Sequence, residues 1–285
     1  MIKIIKYFLQ SIFIYLFFLL GLILGLKISR KIFSYIFNFI GPILKSKKTI
    51  EKNLNIFSKD ISKSEKEKII NLMWKNYGMT FIEYLFLNKF RKNNSHMNIK
   101  NEKLLIEINK QKKPVIFVSG HFANFELMSM EINKQNVNLA TIYRPLNNIF
   151  LNPLMEYLRK KYVCPNQIKK GLSGVREIME YIKRNHSIAL MIDQRVSEGE
   201  KVNFFNKPAL TTTLPAHLSM KYNLDIIPVF IERDEKNNFN IEFKERVNPK
   251  HYKSKIALTE ELNKILEKLI TRNPYQWIWT HNRWK

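Results

Sequence analysis

The chain has 285 residues, of which 45% are hydrophobic and 13% aromatic, and this composition excludes a disordered protein. Its 48 Lys and Arg against 24 Asp and Glu give a net charge of +24. That charge favours phosphate-bearing partners, although the A/T-rich codons of Lys, Ile and Asn are an alternative source of the excess. The single cysteine, Cys164, excludes a disulfide framework and is typical of a reducing compartment.

An apolar run opens the chain. Residues 7–26 include no charged side chain, and these 20 residues would extend about 30 Å as a helix, enough to cross a bilayer core. The run is longer than the apolar region of a signal peptide and is followed by Lys27 rather than by a small-residue cleavage site. The sequence therefore predicts a retained transmembrane anchor over residues 1–27.

The cations on either side of this run predict its orientation. Two precede it and six follow it: Lys3 and Lys6, then Lys27, Arg30, Lys31, Lys45, Lys47 and Lys48. Because the more positive flank stays in the cytoplasm, the body of the protein is expected on that side. Residues 28–48 mix apolar and polar positions and predict an interfacial amphipathic segment, with a core helix as an equally open alternative.

Residues 49–285 contain no internal repeat or linker and predict one domain. Helices are expected over 64–88 and 103–110. After them, predicted strands alternate with predicted helices: strands at 114–118, 137–143, 187–192, 225–232 and 239–247, and helices at 125–134, 152–161, 174–184, 214–222 and 258–271. This alternation predicts an α/β fold whose mainly parallel central sheet is flanked by helices.

Polar residues follow several of these strands, at the sheet edge where α/β proteins bind ligands. His121 follows the first strand, Arg144 the second, and Asp193 the third. Glu126 comes five positions after His121, in the first turn of the next predicted helix. This spacing predicts that Glu126 holds one imidazole nitrogen while the other nitrogen takes a proton from a substrate hydroxyl. A turn histidine beside a solvated glutamate is the alternative.

Five sequence blocks carry a family resemblance. They are 120–126 (GHFANFE), 143–147 (YRPLN), 193–194 (DQ) with 202–212 (VNFFNKPALTT), 227–229 (IPV) and 276–285 (QWIWTHNRWK). In this order they resemble the bacterial lipid A biosynthesis acyltransferases of the late (secondary) lauroyl or myristoyl type, within the glycerolipid acyltransferase superfamily. The chain departs from the pattern at Asn206, where glycine is usual, and at Tyr275, where an acidic residue is common.

The resemblance implies a glycerolipid-acyltransferase-like fold and an O-acyltransferase that needs no metal or organic cofactor. The donor would be a fatty acyl thioester of acyl carrier protein. The acceptor would be a hydroxyl on an acyl chain of a phosphorylated glucosamine-disaccharide lipid, the Kdo2-lipid IVA type of lipid A precursor. His121 would be the general base, oriented by Glu126. The enzyme would lie in the bacterial inner membrane with its catalytic domain on the cytoplasmic side.

The resemblance also suggests binding residues. Candidates for contacts to the substrate or to its oxyanion are Asn124, Arg144, Asp193, Arg195 and Lys207. Phe204 and Phe205 are candidates for an acyl groove, with ordinary core as the alternative. The tryptophans near the carboxyl end suit either a membrane-interface belt or a buried closing element: Trp277, Trp279 and Trp284.

Other functions stay open at the level of sequence. The same chemistry could act on another glycolipid or on an aminolipid. A membrane-tethered basic binding protein with a structural His–Glu pair is an alternative of a different class, although no nucleic-acid recognition motif is present. A hydrolase would need a nucleophile, and Ser119 lacks the Gly-x-Ser-x-Gly elbow while Cys164 has no motif around it.

Overall fold

The computed structural model describes residues 2–45 and 47–285. Its first element is one long helix, α1 (Ile2–Leu44), broken at Gly25, whose φ of 72° is a conformation that glycine adopts at little cost. Ser29 Oγ donates to the Gly21 carbonyl across this break, at 2.9 Å. Only 17% of the most apolar stretch of α1 is buried, so this helix is a candidate membrane span rather than a core helix.

The helix α1 lies along the body of the protein instead of leaving it as a free anchor. Before the kink, its inward-facing positions recur every three or four residues: Tyr7, Ser11, Ile14, Phe18 and Gly21. After the kink, α1 packs on α3 (Lys63–Glu83), and Phe33 of α1 is buried in this contact. A Cβ on Gly78 of α3 would lie 2.1 Å from the Phe33 carbonyl oxygen, so glycine permits this close approach.

Residues 28–44 of the segment predicted to be interfacial form the second half of α1, and Lys47 and Lys48 begin α2, whereas residue 46 lies outside the described residues. One side of this half of α1 is buried against α3, and the other side exposes four large apolar side chains: Ile28, Tyr35, Phe39 and Ile43. The helix runs through residue 27 without a boundary other than the kink. The division of the N-terminal region into an anchor and an interfacial segment therefore stays a prediction.

The body is built on a seven-stranded sheet. The strands are β1 (Met97–Lys100), β2 (Ile116–Ser119), β3 (Leu139–Tyr143), β4 (Asn166–Lys169), β5 (Ser187–Met191), β8 (Ile226–Arg233) and β9 (Phe239–Phe243), in the order β1-β9-β8-β2-β5-β3-β4. All neighbours are parallel except β8 and β9. A separate antiparallel hairpin is formed by β6 (Glu200–Phe204) and β7 (Lys207–Thr211).

Helices complete the fold: α2 (Lys47–Phe57), α4 (Leu87–Lys92), α5 (Lys103–Gln111), α6 (Glu126–Lys134), α7 (Asn152–Leu158), α8 (Leu172–Lys183), α9 (Leu214–Tyr222) and α10 (Lys255–Arg272). The predicted α/β fold with a mainly parallel sheet is confirmed. Sequence reasoning missed β1, β4 and the β6–β7 hairpin, because these strands are short and expose polar residues. The helix predicted to end at 161 passes into a π turn over Arg159–Val163.

Two features of this architecture position the site. The fully buried β2 lies between β5 and β8, so the carboxyl ends of these three parallel strands meet at one edge of the sheet. The carboxyl-terminal segment then folds over that edge, where Trp277 and Phe122 form an isolated antiparallel β-bridge. Trp277, Trp279 and Trp284 are all buried. They form a closing element, and the alternative of a membrane-interface belt is wrong because burial removes these rings from any lipid.

Candidate active site

His121 pairs with Asp193 at the carboxyl edge of the sheet. Ser119 on β2 lies opposite Met191 on β5, so the residues two positions beyond each strand become neighbours. The imidazole Nδ1 lies 2.7 Å from Asp193 Oδ1, and the backbone N–H of His121 donates to Oδ2 at 2.9 Å. The indole N–H of Trp277 also donates to Oδ2, at 2.8 Å. Asp193 therefore holds both the backbone and the ring of His121.

The predicted contact between His121 and Glu126 is not formed. Oε1 of Glu126 accepts hydrogen bonds from the Tyr84 hydroxyl at 2.6 Å and from Arg159 Nε at 2.8 Å. Burial and the Glu126 charge raise the pKa of Tyr84. Burial by itself would lower the pKa of Arg159, but the charges of Glu126 and Tyr84 and the hydrogen bonds to both together raise it. The five-residue spacing misled because the chain turns through a positive φ of 43° at Ala123, and α6 then directs Glu126 toward Tyr84 and Arg159.

The electrostatics of the His121–Asp193 pair favour a base. Burial by itself would raise the pKa of Asp193, but the His121 charge and the hydrogen bonds from His121 and Trp277 lower it to about 2. The carboxylate is therefore ionised at neutral pH and can only accept, which assigns the neutral imidazole proton to Nδ1. Nε2 is left as an acceptor without a partner among the described residues, and the imidazole side chain is 18% exposed.

The helix α3 holds the turn that follows His121. Thr80 Oγ1 donates to the Ala123 carbonyl at 3.0 Å, and Tyr84, next after the helix, reaches Glu126. Between them, Glu83 Oε2 accepts from Asn124 Nδ2 at 2.9 Å. Asn124 is fully buried, so its amide cannot reach a substrate oxyanion. The prediction that Asn124 contacts the oxyanion is therefore wrong, because its donor is already bound inside the core.

Glu83 is itself held by two arginines. Arg233, at the end of β8, donates through Nη1 and Nη2 at 2.5 and 3.0 Å, and Arg30 of α1 donates through Nε at 2.6 Å. Burial alone would raise the pKa of Glu83, but these two charges lower it. Sequence reasoning missed this cluster, although a charged Glu83 within the apolar run 79–87 is a signal of a buried partner. Through it, α1 is connected to the turn that carries Asn124.

The carboxyl-terminal segment adds a second histidine beside the pair. His281 Nε2 accepts from the backbone N–H of Arg195 at 3.0 Å, and burial lowers the pKa of His281. Asn53 of α2 fixes the same segment by donating to the carbonyls of Trp279 and His281, at 2.8 and 2.7 Å. Arg283 is buried over the ring of Phe204, and burial lowers its pKa to about 10.

The three predicted cations, Arg144, Arg195 and Lys207, form no hydrogen bond with His121 within the described residues. Arg144 follows β3, which β5 separates from β2, and its side chain is exposed. Lys207 is exposed at the start of β7, and the Arg195 guanidinium contacts Ser197 at 3.3 Å. Asp193 was predicted to bind substrate or its oxyanion. An ionised carboxylate would repel an oxyanion, and this one is occupied by three donors, so that role is wrong.

The two aromatic groove candidates have different surroundings. Phe204 is completely buried between Arg283 and Trp284, so it belongs to the core and offers no wall to an acyl chain. Phe205 is partly exposed and packs on Phe57 of α2, with ring centroids 5.3 Å apart. Phe205 alone stays a groove candidate. Within the described residues, no three His, Cys, Asp or Glu side chains cluster as metal ligands would.

A comparison with known protein families identifies the family to which the chain belongs. The family model described as bacterial lipid A biosynthesis acyltransferase matches residues 1–285. The chain belongs to this family. The family assignment makes it an acyltransferase of lipid A biosynthesis, in which an apolar helix such as α1 is compatible with association with a membrane.

Individual relatives are distant. The chain is 25% identical over 257 residues to the lipid A biosynthesis palmitoleoyltransferase of Escherichia coli K12, covering 86% of this chain and 80% of the relative. It is 22% identical over 240 residues to a lipid A biosynthesis acyltransferase of Haemophilus influenzae, covering 82% and 76%. Among solved structures, the 1-acyl-sn-glycerophosphate acyltransferase PlsC of Thermotoga maritima aligns with 89% of this chain and all of its own, at a TM-score of 0.42 and 15% identity.

Proposed function

We propose that this lipid A acyltransferase moves a fatty acyl chain from an acyl carrier protein thioester to a hydroxyl on an acyl chain of the phosphorylated lipid A precursor. His121 is the general base, and Asp193 orients it. The observation that carries this proposal is the contact of 2.7 Å between His121 Nδ1 and the buried Asp193 carboxylate, which in the neutral ring assigns the proton to Nδ1 and leaves Nε2 as the acceptor. The nucleophile is the hydroxyl of the acceptor, so no serine or cysteine of the chain is required.

In the proposed reaction, Nε2 of His121 takes the proton of the acceptor hydroxyl as its oxygen attacks the thioester carbonyl. The tetrahedral intermediate then collapses, the C–S bond breaks, and the imidazolium returns the proton to the leaving thiolate. Asp193 stabilises the imidazolium while it exists, in the way a triad aspartate does. Backbone amides at the start of α6, at Phe125 and Glu126, are proposed to stabilise the oxyanion, because a helix N-terminus favours negative charge.

Charge supports the proposed partners. A net charge of +24 favours both an acidic carrier protein and a phosphorylated acceptor. Arg144, Arg195 and Lys207 are proposed to contact the headgroup rather than the reacting atoms, because all three are cationic, are not buried and form no hydrogen bond with His121. Phe205 is proposed to line the acyl path. The proposed location is the cytoplasmic face of the inner membrane, which rests on the cations that follow the apolar run.

The test uses purified full-length protein in detergent micelles. Acyl carrier protein thioesters of several chain lengths are mixed with the tetraacylated precursor, and product masses are measured. We expect one or more acyl additions and their loss in His121→Ala. The matched control is His217→Ala, because His217 is an exposed histidine on α9. Equal turnover of the two variants would refute the role of His121. Glycolipids and aminolipids are tested in parallel as acceptors. Acylation of one of them, with none of the precursor, would refute the proposed acceptor.

A further inference from the structure

Exposed apolar side chains of the body concentrate in one segment. Among the described side chains of residues 47–285, five large hydrophobic ones are exposed, and three of these lie between β3 and the end of α7: Leu146 at 38%, Ile149 at 58% and Tyr157 at 52%. The other two, Ile106 on α5 and Val175 on α8, are isolated in the sequence. Single exposed apolar residues are ordinary, whereas a concentration of them marks a contact surface.

This segment is joined directly to α1. The amide of Asn148 donates to the Tyr7 carbonyl at 2.9 Å, and the Tyr15 hydroxyl donates to the Phe150 carbonyl at 2.8 Å. The rings of Phe8 and Phe150 pack edge to face, with centroids 5.4 Å apart. Ile149 lies between two residues that are both bound to α1. It therefore sits level with residues 7–15, the first half of the uncharged run.

We propose that the segment 146–157 is a second lipid-contacting surface, continuous with α1, and that the acyl chains of the bilayer cover Leu146 and Ile149. The loop and the first half of α1 share one environment. The outward side of α1 exposes large apolar groups at this level, among them Leu9 and Ile12, which need hydrocarbon around them. Whatever surrounds those side chains also surrounds Ile149, because the loop is bound to the same stretch of helix.

Charge around the segment fits a membrane surface. Arg144 precedes it, and Lys160 and Lys161 follow Tyr157, all with exposed side chains. The one acidic residue between 144 and 161 is Glu156, which is bound by the Tyr143 hydroxyl at 2.6 Å and approached by Lys169. An apolar patch with a cationic rim is the pattern that binds an anionic leaflet. A Lys or Arg near such a surface adds electrostatic attraction that salt screens.

This surface has a consequence for the site. The segment starts at the carboxyl end of β3, the same edge of the sheet at which β2 presents His121. Immersing Leu146 and Ile149 would bring the leaflet surface to the side of the site two strands away from His121, about 10 Å at ordinary strand spacing. A lipid acceptor could then approach the imidazole while its other acyl chains stay in the bilayer.

A single introduced cysteine can be labelled specifically, because the one native cysteine of the chain is inaccessible to thiol reagents. Cys164 is fully buried, and burial raises the pKa of its thiol to about 11, so it resists labelling at neutral pH. Full-length Ile149→Cys is labelled with bimane and reconstituted into vesicles of phosphatidylethanolamine and phosphatidylglycerol, with and without nitroxide groups on the acyl chains. Ile106→Cys is the matched control at 44% exposure, and Ile12→Cys at 40% is the membrane reference.

We expect nitroxide lipids to quench the label at 149 as strongly as the label at 12, with blue-shifted emission, and to leave the label at 106 unquenched. A label at 149 that behaves like the label at 106 would overturn the proposal. A label at 149 that is shielded from aqueous iodide yet unquenched by nitroxide would also overturn it, in favour of a protein partner such as a second copy. The readout does not need acyl transfer, and His121→Ala should give the same quenching, so failure of the proposed reaction would be seen separately.

Discussion

Replacing Asp193 by asparagine tests how His121 is held. The carboxylate receives three donors: the His121 N–H and the Trp277 indole N–H on Oδ2, and His121 Nδ1 on Oδ1. An asparagine amide has one acceptor oxygen and one donor NH2. Two fixed donors converge on the Oδ2 position, so we expect the amide oxygen to occupy it. The NH2 group would then face Nδ1 of the imidazole.

This orientation would reverse the histidine tautomer. Nδ1 would have to accept from the amide, so the proton of the neutral ring would move to Nε2 and the base would be lost. A wrong tautomer in a Ser-His-Asp site lowers turnover by about 10⁴-fold, and we expect a loss of about 10²- to 10⁴-fold here, equivalent to about 3–5 kcal/mol in the barrier. Binding of the acceptor should change much less, because Asp193 is buried behind the ring.

Two measurements check this reasoning. Turnover is compared with that of Asp60→Asn, which removes an exposed aspartate and the same formal charge. Nitrogen-15 NMR of labelled histidine reports which ring nitrogen of His121 carries the proton. Turnover of Asp193→Asn equal to that of the control would refute the orienting role. A loss of turnover with the Nδ1–H tautomer retained would refute the reason given for it.

Three further predictions concern the buried charges. Glu126→Gln should lower the free energy of unfolding by about 1–3 kcal/mol, because it weakens the hydrogen bonds to Tyr84 and Arg159, while the folded variant keeps most of its turnover. Thermal unfolding and rates per folded enzyme would measure both, and a loss of turnover as large as that of Asp193→Asn would return Glu126 to the mechanism. Glu83→Gln should cost about 3–5 kcal/mol, because it leaves two buried arginine charges unpaired, and an unchanged melting temperature would contradict this. The pKa of Asp193 is lowered in the folded state to about 2. Its ionisation therefore contributes about 2 kcal/mol to the free energy of unfolding, and this contribution is fully present above the unfolded pKa and is lost as pH falls toward 2. The loss of stability in acid, measured by unfolding at several pH values, should be smaller in Asp193→Asn.

Several features follow from the sequence alone. The alternation of apolar runs with amphipathic ones requires strands joined by crossover helices, and this specified the parallel sheet and the edge at which His121 lies. The uncharged run at 7–26 specified an apolar helix by its length. The strands β1 and β4 could not be found in the same way, because each contributes only four residues with little apolar character, and their pairing partners supply the missing stability.

The partner of His121 was decided by tertiary structure. Spacing along the chain favoured Glu126, because a residue five positions away is close whatever the fold. Asp193 is 72 positions away, and only the parallel register of β2 with β5 brings it to Nδ1. The backbone at Ala123, held from α3 by Thr80, turns α6 so that Glu126 meets Arg159 instead. Sequence thus determined which residues are available at the edge of the sheet, whereas strand order and one positive φ determined which of them touch, because contacts between distant residues depend on the path of the whole chain.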